Sequence, residues 1–334
     1  MIKRKFSLPY TPGIFGVLES MDVDSVNDIY FSDNIFGSAR AVVFDSKHLA
    51  ELYSIRDTYG IKLHYLINGN YYSNDFYKDT SHVVEHIKLL DVDMLTLNNT
   101  YLMRDAIFME ELRKVGRKGT TELEVKNSVN NIVKDVKDVK FMVETLGIKS
   151  IIVDRALNRN IDELTKIRTY CDKHGATITM LINEGCIIDC KWKNFDDMMI
   201  AQTKPDSDIM IINFVHNKLG CTEFFERSPA EYLKTGFTLP TNLDKFDGLV
   251  DIIKLAERDI PLGRWLVMCR AYMTEDGNTS LLNLLATKPA SQIQQVTSNM
   301  LEETGFVRNT FNCKNVCGDE CTLCDTTLLK LRKV

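Results

Sequence analysis

The 334 residues contain no glycine-rich phosphate loop: neither G-x-G-x-x-G nor G-x-x-x-x-G-K-[ST] occurs. That removes the usual warrant for a nucleotide-binding open sheet. H-E-x-x-H and G-x-S-x-G are also missing, so the zinc-peptidase and serine-hydrolase motifs are not available. No run of about 18 apolar residues exists, and no membrane span is expected. The start, "MIKRKFSLPYTPG", is basic but lacks the apolar core of a signal peptide. A reducing cytoplasm is the expected compartment. Short repeats and low-complexity tracts are absent. The net charge of -5 argues against a strongly basic nucleic-acid surface. One local basic stretch, "RKVGRKG" (Arg113 to Gly119), reads first as a solvated loop.

What is present begins with nine cysteines in a chain that is 44% hydrophobic, enough apolar material for a large core. In a reducing compartment, clustered cysteines favour metal or redox chemistry over disulfides. Strand-like runs alternate with helical ones along the chain. The strand runs are "KFSLPY", "DIYFSD", "IKLHYLING", "MLTLNN", "TELEVKNS", "KSIIVDRAL", "ATITMLINEG" and "VDIIKLAE". Ser46 is expected to cap the helix Ser46 to Gly60, and one helix is expected over Tyr101 to Gly116. Asn160 and Ser128 read as caps of the elements that follow them. Cys190 to Asp247 reads as less regular. Eight strands with short links imply a TIM-like (β/α)8 barrel with a cysteine-rich C-terminal extension. The expected boundary puts the barrel at 1–290 and the metal-binding extension at 291–334.

Chemistry in such a barrel gathers at the carboxyl ends of the strands. Cys171 and Cys269 fall on apolar helical stripes and read as core thiols. The tail spacing, Cys313-x3-Cys317-x3-Cys321-x2-Cys324, brings four thiols within a dozen residues. They suit one tetrahedral zinc or one iron–sulfur cluster. The absence of paired C-x2-C knuckles tilts the tail toward a cluster. In "NEGCIIDCKW", Cys186 and Cys190 follow the seventh strand and form half a site, with Cys221 as a third ligand. Gly185 beside them would let the backbone approach a cofactor. Whether the tail completes this site or holds its own metal stays open.

The stretches "DRALNRNIDEL", "LINEGCIIDC" and "IIKLAERDIPLGRWLVMCRAYM", followed by the cysteine-rich end, resemble the collagenase-like U-type peptidase family. The resemblance runs from about Asp28 to Cys324 and is closest to a branch with N-E-G-C-x3-C. It implies a TIM-like barrel and, in several members, a [4Fe–4S] cluster serving oxygen-independent hydroxylation of ubiquinone precursors or RNA. Other members are labelled peptidases. The resemblance makes Cys186 and Cys190 cluster ligands and Glu184 a polar neighbour. The tighter cysteine spacing and the extra tail depart from the better-studied members.

Three functions follow as expectations. The first is an iron–sulfur enzyme or accessory redox protein. Glu184 would act as acid or base, and Asp154 and Arg155 would hold a carboxylate or phosphate. Lys254, Glu257 and Arg258 would close the mouth, unless Lys254 and Arg258 merely pair with Asp154 or Glu257. Its substrate would be a small molecule or nucleic acid, with an electron-donor protein as partner. The basic stretch Arg113 to Lys118 mildly favours a phosphate-bearing substrate. The second is a peptidase, which lacks a Cys–His pair, because nothing places His64 or His216 beside a nucleophile. The third is a non-catalytic binding protein whose tail holds zinc.

Overall fold

The computed structural model describes residues 3–33, 35–36, 45–69, 72–117, 122–202, 220–257, 260–313, 316–318 and 320–331. Eight strands are hydrogen-bonded in sequence order and close into a barrel. They are β1 (Lys5–Pro9), β2 (Val26–Phe31), β3 (Lys62–Ile67) and β4 (Met94–Leu97), then β5 (Glu124–Asn127), β6 (Ser150–Val153), β7 (Thr177–Leu181) and β8 (Ile252–Lys254). Every pair is parallel, and β8 returns to β1 with Lys5 opposite Ile252 and Ser7 opposite Lys254. The expected TIM-like barrel is what the chain forms.

Side chains alternate along each strand, so one set faces the helices and the other the barrel interior. Phe6, Leu8, Ile29, Phe31, Leu63, Tyr65, Leu95 and Val153 join the apolar cluster shared with the helices. Their neighbours in sequence are unlike the branched apolar filling typical of such barrels. Ser7, Asp28, His64, Thr96, Lys126, Thr179 and Lys254 are all buried. These polar residues are tolerated inside because they bond to one another. Ser7 Oγ donates to Asp28 Oδ2 at 2.6 Å, and His64 Nδ1 meets the same oxygen at 2.9 Å. His64 Nε2 meets Thr96 Oγ1 at 2.8 Å. Lys126 Nζ reaches Thr179 Oγ1 at 3.4 Å, and Lys254 Nζ lies 4.0 Å from the centre of the Tyr30 ring.

Local chemistry corrects several sequence expectations. Asp45, not Ser46, caps the helix Ser46–Tyr59, its carboxylate accepting from Lys47 N and His48 N. Asp45 has the extended backbone of a cap residue, whereas Ser46 is already the first residue of the helix. Gly60 ends that helix at φ +68°, as its position suggests. The expected single helix after β4 is two, Thr100–Arg104 and Ala106–Lys114. Asp105 breaks it by turning its carboxylate to Ile107 N and Phe108 N. The sixth strand stops at Val153. Asp154 then accepts from Ala156 N at 2.9 Å and starts a 3-10 turn, Arg155–Arg159. Asn160 caps Ile161–His174 and Ser128 caps Val129–Asn131, both as expected. The stretch taken as irregular carries the helices Lys193–Gln202, Cys221–Arg227 and Pro229–Leu233.

After β8 the helix Leu262–Met273 seals the barrel, with Trp265 Nε1 donating to Pro9 O at 2.8 Å. The tail then returns to the front of the barrel. Asn312 bridges Asn160 and accepts from Ile161 N at 2.8 Å. The last helix, Leu323–Leu331, buries Cys324, Thr327 and Leu328.

Candidate active site and thiol clusters

The segment after β7 is held by its first residue. Asn183 is fully buried and its Nδ2 donates to Ala256 O at 3.3 Å and Leu284 O at 3.2 Å. Its Oδ1 accepts from Ala256 N. Asn183 therefore ties the β7 end to the β8 end, a structural role. Glu184 comes next and forms an ion pair with Arg155, which rises from the end of β6. Both side chains are largely shielded, at 14% and 11% exposure, so the pair sits in a low-dielectric pocket where its attraction counts. Burial opposes the charge on Arg155, but Glu184, and then Cys186 and Asp154, hold its pKa above the ordinary value.

Gly185 does not open space for a cofactor. A Cβ there would meet the Tyr232 hydroxyl and come within 2.7 Å of its Cζ. Tyr232 is fully buried and donates to Thr287 O, so the glycine exists to let this ring through. The expectation for Gly185 is corrected accordingly. Gly236 N bonds Cys186 O at 3.4 Å and Ile187 pairs with Thr235, fixing the thiol-bearing turn against the next loop.

Cys186 and Cys190 are half-buried on this turn, and Cys221 begins the helix Cys221–Arg227. Cys190 lies within electrostatic reach of both Cys186 and Cys221. Burial pushes the Cys186 thiol up to about 12, with Glu184 and then Cys190 adding to it. Burial and Cys190 also raise Cys221. Lys193 acts the other way on both. Unliganded, Cys186 is thus protonated at neutral pH, the reverse of an activated nucleophile.

The tail thiols gather elsewhere. Cys313, Cys317, Cys321 and Cys324 line one small cavity with Arg159, Lys234, Thr310 and Leu323. None of Cys186, Cys190 and Cys221 lines it. Among the described residues, no three His, Cys, Asp or Glu side chains are already set to clasp an ion. Both thiol groups stand around their space rather than converging on a point. Cys171 and Cys269 are buried core thiols, as expected.

The other proposed site residues fall in three places. Asp154 lies at the mouth beside Arg155 but spends one oxygen on its cap. Lys254 faces the barrel interior, against Tyr30. Glu257 pairs with Arg264, 2.8 Å away, rather than with Lys254. Arg258 and His216 lie outside the described residues. The basic stretch is not at the mouth. Arg113 donates to Gly147 O and lines a groove with Glu124, Ser150 and Thr177, the first residues of β5, β6 and β7. It therefore marks the amino-terminal face and lends no support to a phosphate at the mouth. Lys118 lies outside the described residues.

Several polar groups at the mouth have surroundings that the sequence does not show. Asp33, after β2, accepts from the Tyr65 hydroxyl at 2.5 Å and meets His86 Nε2 at 2.7 Å. Burial opposes its charge, yet His86 and Tyr65 hold its pKa below the carboxylate range. Glu257 adopts φ +91°, a costly conformation for a non-glycine residue. Burial pushes its carboxyl up to about 7, against the pull of Arg264. The interior Asp28–His64–Thr96 chain has the connectivity of a hydrolase triad, carboxylate to Nδ1 and Nε2 to hydroxyl. Strand-end position in "YFSD" is the signal for Asp33, and Glu257 is expected at the mouth from "KLAER". Nothing local in the sequence marks Asp28 or Thr96.

No family model matches the chain. The uncharacterized protease MJ1657 of Methanocaldococcus jannaschii is 25% identical over 257 residues, spanning 75% of this chain and 70% of that protein. The solved structure of the U32 peptidase Mk0906 superposes with a TM-score of 0.51 at 17% identity, over 77% of this chain and 94% of that one. The second likeness is one of fold. Among the described residues no helix is long and apolar enough to cross a membrane.

Proposed function

We propose that the chain is an iron–sulfur member of the U32 collagenase-like peptidase family, a reading supported by its likeness in sequence to the protease MJ1657 and in fold to the U32 peptidase Mk0906. Its work would be an oxygen-independent hydroxylation, or a related redox modification, of a nucleobase, RNA or small aromatic substrate. The observation that carries this reading is the grouping of Cys186, Cys190 and Cys221 beside the Glu184–Arg155 pair at the carboxyl end of β7. Three sulfur donors match in kind a [4Fe–4S] cluster with one iron left open to substrate. Such a cluster would supply electrons or a Lewis-acidic iron at the mouth. For hydroxylation without dioxygen, the oxygen atom must come from a donor co-substrate. R–H becomes R–OH as the donor loses its oxygen, and no net electrons enter. A reductive modification would instead need an electron-donor protein.

The chain's own residues supply the rest. Arg155 is held cationic by Glu184 and presents a planar donor surface to a carboxylate or phosphate. Glu184 accepts a proton only once a substrate anion draws Arg155 away. Asn183 and Gly185 fix the turn that carries the thiols. The test is anaerobic purification followed by iron and sulfide analysis. We expect iron and acid-labile sulfide in similar amounts and a brown colour absorbing near ~400 nm. Both should be lost in Cys186→Ala and Cys190→Ala with the fold retained. Wild-type protein free of iron and sulfide after anaerobic reconstitution would sink the reading.

A second reading, peptidase, is favoured by the names of the relative and of the solved neighbour, and by the Asp28–His64–Thr96 chain. Against it, Asp28, His64 and Thr96 are 0%, 1% and 2% exposed, so no polypeptide reaches the hydroxyl. Among the described residues neither His64 nor His86 is bonded to a thiol. Gelatin or casein cleavage abolished by Thr96→Ala, with iron content unchanged, would reverse the order of the two readings.

A further inference from the structure

Arg159 ends the 3-10 turn after β6 and is 3% exposed. Its guanidinium stacks against the rings of Phe237 and Phe306, with centroids at 5.4 and 5.3 Å. Nη1 and Nη2 are buried and, among the described residues, have no oxygen or nitrogen partner; the guanidinium faces the sulfurs of Cys324, Cys313 and Cys317. Arginine stays protonated in proteins, and an uncompensated buried cation is strongly destabilising. Such a group implies an anion. The cavity it lines offers one kind of source, the thiols of Cys313, Cys317, Cys321 and Cys324. Lys234 lines the same cavity, and Lys245 lies behind Arg159, its Nζ donating to Asn158 O at 3.0 Å. Lys234 is already paired with Glu231 and lies 3.9 Å from Asp325, which leaves Arg159 as the buried cation facing the four sulfurs. As neutral thiols these would leave it unanswered. As thiolates on a divalent ion they carry a net negative charge and answer it.

The size of the space selects the ion. The cavity holds about 10 Å³, room for one water-sized body. A single tetrahedral ion matches that space once the thiols turn inward. Sulfur-only tetrahedral coordination is the preference of zinc among single divalent ions. We propose that Cys313, Cys317, Cys321 and Cys324 bind one zinc-class divalent ion, and that the buried Arg159 guanidinium is the counter-charge of this tetrathiolate centre. The proposal is independent of the iron–sulfur reading of the mouth. It also gives the centre a mechanical consequence. Cys313 N donates to Arg159 O at 2.9 Å, and Asn312 caps the helix that follows. The ion thus staples the last helix to the turn whose other end, Arg155, pairs with Glu184.

The test uses the full chain, purified anaerobically, with zinc and iron measured by elemental analysis. We expect one zinc per chain, lost in Cys317→Ala without loss of the mouth's iron. Cobalt(II) substituted into the wild type should give the thiolate charge-transfer bands and visible transitions of a tetrahedral sulfur site. Arg159→Leu should release zinc to a chelating dye at least ten-fold faster than wild type, and Arg159→Lys should restore part of the difference. If Arg159→Leu does not fold, the cobalt spectrum of wild type against Cys317→Ala still decides the site. Iron in place of zinc at the tail, or absence of a tetrathiolate cobalt spectrum, overturns the site. Equal zinc release from folded Arg159→Leu and wild type overturns the counter-charge role.

Discussion

Gly185 shows how a residue can be noticed for the wrong reason. Its place between Glu184 and Cys186 suggested room for a cofactor, and the actual neighbour is the Tyr232 ring. Tyr232 is packed against Phe225 and bonded to Thr287 O, so it cannot retreat cheaply. Gly185→Ala should therefore destabilise the protein by about 1–3 kcal/mol through overpacking. It should do so without any ligand present, as read by chemical denaturation. An unchanged midpoint would mean that the ring has space to move. Arg159 is the opposite case. It lay inside a quoted motif, yet its importance depends on burial without an oxygen or nitrogen partner, which sequence does not report. The cysteines were legible as chemistry because clustering alone carries that signal. The separation of the two groups was not, because it depends on how the tail returns to the turn after β6.

At the scale of elements, apolar alternation and turn residues made all eight strands readable. What escaped was competition by single acidic side chains. Asp105 splits a helical pattern, and Asp154 ends a strand early by capping a tight turn. Each trades a regular backbone bond for a side-chain bond, and no periodicity records that trade. Asn160 was readable because cap, acidic first turn and apolar stripe agree along one helix. Asn160→Ala should cost about 1 kcal/mol of stability. It should leave the tail in place, since the pairing with Asn312 is a main-chain bridge that the substitution does not touch. Unchanged amide exchange at Cys313 would bear this out, and faster exchange there would contradict it.

Over the whole molecule the unusual property is a barrel filled with charge. Burial drives His64 down to about 4 from 6.5, with Lys254 and Lys126 assisting against the pull of Asp28. Between those values the unfolded chain binds a proton that the folded one refuses, so stability falls as pH drops from 6.5 to 4. Glu257 works in the other direction. Its carboxyl is raised from 4.5 to about 7, so the folded chain keeps a proton the unfolded one releases. Stability from this group is full below 4.5 and is lost as pH rises through 7. The two slopes oppose each other between 4.5 and 6.5. Glu257→Gln keeps the shape of the protonated carboxyl and removes one slope. It should raise stability at pH 8 by a few kcal/mol and expose a steady loss on acidification below 6.5. Denaturation midpoints across pH would show this, and parallel profiles for variant and wild type would contradict it.

We propose two thiol centres, one of Cys186, Cys190 and Cys221 at the mouth and one around Arg159, whose cavity the mouth cysteines do not line. The most direct measurement is iron, sulfide and zinc content of anaerobically purified wild type, Cys186→Ala and Cys317→Ala, prepared side by side. The prediction is two independent losses: iron and sulfide vanish in the first variant with zinc retained, and zinc vanishes in the second with iron and sulfide retained. Joint loss of a single metal in both folded variants would mean one shared site and would contradict the account.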